Sequence, residues 1–72
     1  MFMIRYRTVG DGNWITLAKT PLETQTEALL FARAKIATRY GVSEITVTRY
    51  AAHIWMVSTW SAAIGFVKVT QL

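Results

Sequence analysis

Residues 24–41, TQTEALLFARAKIATRYG, are the only stretch of this chain with a helical period, and the segments on either side alternate as strands do. Thr24 is the N-cap candidate. Its hydroxyl can accept from the amide of Glu27 while the Glu27 side chain reaches back, which is a capping box. Thr20-Pro21-Leu22-Glu23 offers the same signal one turn earlier, with Pro21 at a first helical position. Gly41 ends the segment, because glycine enters the left-handed region without a Cβ clash. At about 100° per residue, Leu29, Ala32, Ile36 and Tyr40 fall along one side as a core stripe, with Leu30, Arg33 and Ala37 at its edge. Glu27, Phe31, Lys35 and Arg39 follow at one-turn intervals on the opposite side. Phe31 is thereby expected as an aromatic among charges on a solvated face.

The flanking segments read as strands. In residues 1–9, Phe2, Ile4 and Tyr6 point one way and Met3, Arg5 and Arg7 the other. Gly10-Asp11-Gly12-Asn13 is turn chemistry, and residues 14–20 return as a second strand, so the two form a hairpin. Residues 43–50 are a third strand, with Ile45 and Val47 inward and Thr46, Thr48 and Tyr50 outward. Residues 54–60 are a fourth, 61–65 a connection, and 66–70 a short fifth strand at an edge guarded by Lys68. The predicted fold is α+β: a single domain over residues 1–72, with a small antiparallel ββαββ(β) sheet and one helix on one face. The helix is expected to cover Phe2, Ile4, Ile15, Leu17, Ile45 and Val47. The far face then shows Arg5, Arg7, Trp14, Thr16, Thr46, Thr48, Tyr50 and part of the fourth strand, Trp55 included.

Composition narrows the function. The chain has 72 residues, 53% hydrophobic and 17% charged, and a domain this small has a high surface-to-volume ratio. One helix is expected to leave apolar surface over, which points to a homodimer or a permanent partner. A net charge of +4 suits nucleic acid or an acidic protein surface, and argues against an acidic DNA mimic. There is no cysteine, so packing alone must hold the fold, and a cytoplasmic setting agrees with that. Arginines interrupt the N-terminal segment where a signal peptide would be apolar. Residues 50–67 carry no formal charge, but His53, Ser58, Thr59, Ser61 and Gly65 dilute them, so a membrane span is not expected. His53 is the lone imidazole, and Asp11, Glu23, Glu27 and Glu44 are scattered over turn, helix and strand start. That spacing predicts no acid–base pair and no metal cluster, so the expectation is a non-enzymatic protein without a cofactor.

Three binding roles follow. The first is a protein-binding module with Phe31 as anchor, rimmed by Lys35, Arg39, Arg33 and Glu27. An N-terminal hairpin, a Thr-x-Thr-Glu-Ala helix start at residues 24–28 and returning strands that end in a Trp-rich segment resemble small phage-borne anti-CRISPR proteins in size and layout. The resemblance implies a host-cytoplasmic inhibitor that binds a protein or nucleoprotein complex. It makes Phe31, Lys35, Arg39 and Arg33 contact candidates by surface position. The second role is nucleic-acid binding through the open sheet face. Tyr6, Trp14, Tyr50 or Trp55 would stack on bases, and Arg5 and Arg7 would meet phosphates. The third is a self-associating structural or accessory phage protein.

Overall fold

The computed structural model describes every residue except Leu22 and Ser61, and only the backbone of Thr20. The elements run β1 (Phe2–Thr8), β2 (Ile15–Thr20), α1 (Gln25–Tyr40), β3 (Thr46–Ala51), β4 (Ile54–Ser58) and β5 (Ala63–Gln71). The five strands form one antiparallel sheet in the order β2-β1-β5-β4-β3. The protein is therefore α+β, with the expected order of strands and helix.

The last strand is the longest and lies in the middle, so β5 is not an edge and Lys68 guards none. β5 pairs with β1 from Phe2↔Gln71 to Thr8↔Gly65, and with β4 from Ile54↔Lys68 to Ser58↔Ala63. Val67 and Val69 are fully buried, as a central strand requires. The edges are β2 and β3, the two strands joined by the helix. α1 thus carries the chain from one side of the sheet to the other.

α1 begins at Gln25, not at the earlier signal, whose Leu22 lies outside the described residues. The Thr24 hydroxyl accepts from the Glu27 amide at 3.2 Å and donates to the Glu27 carboxylate at 3.1 Å. At the other end Gly41 sits at φ 66°, and the Val42 amide donates back to the Ala37 carbonyl at 3.1 Å. The buried positions are Ala28, Ala32 and Ile36, four residues apart. The two alanines let the helix backbone lie close over β1, β5 and β2. Tyr40, expected in the core stripe, is exposed and tilts against Tyr6 with ring centroids 5.8 Å apart.

The core comprises Phe2, Ile4, Tyr6, Ala28, Ala32, Ile36, Ile45, Trp55, Val57, Val67 and Val69. Trp55 is only 6% exposed, so it does not belong to the open face. The fourth strand is apolar at every position but its last, and alternation could not tell its faces apart. Pairing of Trp55 with Val67 settles the matter by placing it under the helix. Ile15 also departs from expectation: it stands opposite Tyr6 but is exposed at the sheet rim. A bulge between Ile4 and Arg5 resets the β1–β2 register before it.

Tyr6 is 1% exposed and its hydroxyl donates to the Ile64 carbonyl at 3.1 Å. Burial, and next the neighbouring Tyr40 phenol, push its ionisation well above the ordinary tyrosine range, so it stays neutral. It is a core residue and cannot stack a base. Its ring lies across Gly65, where a side chain would collide with it.

Five strands at roughly 4.8 Å spacing span about 19 Å between the outer two, whereas one helix is about 10 Å wide. The helix must therefore leave a groove along each flank. The total accessible surface is 4572 Å², close to the roughly 4,500 Å² of an ordinary monomer of 8.2 kDa. Total area by itself does not call for a second copy. Among the described residues no helix is long and apolar enough to cross a membrane.

Candidate binding surfaces

The first surface is the groove between α1 and β2, with a volume of about 560 Å³. Leu17 and Phe31 form its apolar part, and both pack against the core. Lys35 and Arg39 stand along its helix side, exposed, with the Lys35 ammonium 5.5 Å from the centre of the Phe31 ring. Phe31 is thus half-buried, not perched on a solvated face. The helix is offset from β2, so the side expected to meet water overhangs the uncovered edge of the sheet. Among the described residues lining the groove there is no carboxylate.

Arg33 does not join this set. It lines the groove on the other flank, about 380 Å³, with Leu29, Leu30, Ile45, Val47 and Trp55. The Glu27 carboxylate is engaged with Thr24 at the helix cap, which leaves it a structural role.

The second surface is the open face of the sheet. The strand registers put Arg7, Phe66, Met56 and Thr48 in one row across four strands, and Arg5, Lys68 and Ile54 in the next. Arg7 lies between two rings, 5.2 Å from the centre of Trp14 and 5.0 Å from that of Phe66. Its Nη1 donates to the Asp11 carbonyl at 3.1 Å, while its Nε is buried with no partner among the described residues. Lys68 stands 5.8 Å from Trp14, and Tyr50 meets Phe66 edge-on at 5.0 Å. Tyr50 is the extra residue of a bulge between Arg49 and Ala51, is 65% exposed, and swings over the face from the edge strand. Arg5 faces Lys68 directly across β1 and β5. Two like charges opposite each other in the centre of a sheet are unfavourable. None of the five strands contains aspartate or glutamate.

Arg5, Arg7, Trp14 and Tyr50 therefore gather where the sequence placed them, and Trp55 does not. Phe66 and Lys68 were missed as members of this face. Their phase was legible, since they alternate with Val67 and Val69, but the central position of β5 was not. Trp60 was missed too; at 93% exposure it stands beside Gly41 and Val42. His53 is a turn residue at φ 62°, and its Nδ1 lies 3.3 Å from Gln25 Nε2, which ties the helix start to the β3–β4 turn. Among the described residues no three His, Cys, Asp or Glu side chains come together as a metal site. Comparison with protein-family models, with characterised proteins and with solved structures gives no match.

Proposed function

We propose that this chain is a non-enzymatic protein-binding module that docks on an acidic surface of a host protein or nucleoprotein complex and blocks it by occupying it. The observation that supports this is the α1–β2 groove. It joins an apolar floor, Leu17 and Phe31, to a cationic rim, Lys35 and Arg39, with no carboxylate among the described residues that line it. An apolar side chain of the partner would fill the floor, and flanking carboxylates would meet the rim. Interfaces draw their energy from such a buried aromatic anchor, while the charges steer the approach. Blocking by occupancy needs no chemistry, in keeping with the resemblance to phage-borne anti-CRISPR proteins; in that reading the protein acts in the host cytoplasm.

Because Phe31 packs against the core, its truncation would mix binding with stability. Lys35→Glu and Arg39→Glu are cleaner, since both side chains are exposed. Affinity capture from the source cell with the wild-type chain should retain a partner that the doubly charge-reversed chain loses, with thermal midpoints within a few degrees. The reading fails if the reversed chain holds the same partner.

A further inference from the structure

We infer that the open sheet face is a single-stranded nucleic-acid site, in which Arg5, Arg7 and Lys68 take backbone phosphates and Trp14, Phe66 and Tyr50 offer stacking surface to unpaired bases. The inference is independent of the groove, which lies on the other side of the sheet.

Three observations carry it. First, the cations are arranged at a cost to the fold. Arg5 and Lys68 are direct cross-strand partners, Arg7 follows Arg5 on the same face, and Lys19 pairs with Met3 one row further on. No strand supplies a carboxylate to any of them. Such a cluster is unfavourable alone and is relieved by an anion that spans it. Second, Arg7 is held in place by Trp14, Phe66 and the Asp11 carbonyl, and its buried Nε has no partner among the described residues. Its charge is therefore preorganised on this face. Third, a row of rings, Trp14, Phe66 and Tyr50, with Arg7 between the first two, runs beside the row that holds Arg5 and Lys68.

The occupant follows from that chemistry. An acidic protein would answer the cations but not the rings. A second copy facing this one would set the same cations against each other with no carboxylate between them. A duplex keeps the faces of its bases stacked inside, away from a flat sheet. A single strand presents phosphates and free base faces side by side, as this face presents cations and rings.

The test is fluorescence anisotropy with a labelled twelve-residue oligothymidylate, beside an abasic strand and a duplex of equal length and a polyglutamate chain. Binding is expected at low salt and should weaken with a log–log slope of about −2, as for three phosphate contacts on a single strand. Trp14→Ala and Tyr50→Ala should each weaken it about tenfold. Tyr50 is exposed on an edge strand, so its truncation leaves the fold intact and keeps the test decisive. Arg5→Thr should weaken binding and flatten the slope by about 0.7, yet raise the thermal midpoint by removing the repulsion with Lys68. Lys35→Ala, on the groove side, should change binding by less than about twofold, since screening confines the effect of one distant charge. The inference is overturned if the oligothymidylate does not bind, or if the abasic strand, the duplex or polyglutamate binds as tightly. It is overturned equally if Lys35→Ala costs as much as Arg5→Thr, or if sedimentation finds a dimer that Tyr50→Ala dissociates.

Discussion

Replacing Gly65 with alanine tests the packing that holds the centre of the sheet. Gly65 is buried in the middle strand, opposite Thr8 on β1 and Val57 on β4. A Cβ built there would lie 2.6 Å from Tyr6 Cζ and closer still to the Tyr6 hydroxyl and the Arg7 carbonyl oxygen. Carbon atoms in contact sit at about 3.5–4.0 Å, so the ring must move by roughly 1 Å in a core without slack. The Arg7 carbonyl belongs to the β1 backbone and cannot yield by rotating. Overpacking of this kind costs about 1–3 kcal/mol. Displacing the phenol also breaks its bond to the Ile64 carbonyl and strands a buried hydroxyl, at about 1–3 kcal/mol more. The better strand propensity of alanine returns less than about 1 kcal/mol. A net loss of about 2–4 kcal/mol follows, a large share of the roughly 4–11 kcal/mol expected for a domain of this length. At about 4–8 °C per kcal/mol, the midpoint should drop by roughly 10–30 °C. Urea unfolding followed by circular dichroism measures the free-energy loss, and thermal unfolding the midpoint. Tyr6→Phe alone should cost about 1 kcal/mol, because Ile64 keeps the Val9 amide as a donor at 3.1 Å. In that background Gly65→Ala should cost about 1 kcal/mol less than in the wild type, since no hydroxyl is left to strand. Strictly additive costs, or a Gly65→Ala loss below about 0.5 kcal/mol, would refute the argument.

Two further predictions concern stability. The Tyr6 phenol ionises later in the folded chain than in the unfolded one, so its contribution is complete below the ordinary tyrosine pKa near 10 and is lost as pH rises above it. Between pH 10 and 11 the wild type should lose about 1 kcal/mol more than Tyr6→Phe, and parallel pH profiles would show the phenol to be unperturbed. His53→Gly should leave stability within about 0.5 kcal/mol, because relief of the left-handed backbone is offset by the lost contact to Gln25 and the freer unfolded chain, whereas His53→Val should destabilise the fold by more than about 1 kcal/mol. Equal midpoints for the two would remove strain from the account of this turn.

How much was legible varied by element and for physical reasons. The helix end could be read to the residue and its start to within one turn, because its signals are local: Gly41 acts through its own φ, whereas Thr24 with Glu27 and Thr20 with Glu23 offer the same cap one turn apart. The β1 faces were legible because Phe2, Ile4 and Tyr6 alternate with Met3, Arg5 and Arg7. β4 was not, since its first four residues are all apolar and a uniform run has no phase. Phe31 was misplaced for a different cause. Its angle around the helix was right, but where the helix lies over the sheet depends on Ala28 and Ala32 packing it down over the sheet, offset from β2.

Local chemistry thus decided the class of fold, the order of elements, the helix C-cap and the half of the open face that β1 supplies, and it left the helix start open between two signals and the fifth strand open. Only the tertiary structure decided that β5 runs through the centre. That insertion turned Lys68 from an edge guard into the partner of Arg5, brought Phe66 against Arg7 and the outward Tyr50, and sent Trp55 inward. The reason is that strand order depends on contacts between residues far apart in the chain, such as Arg5 with Lys68, and no short-range pattern encodes them.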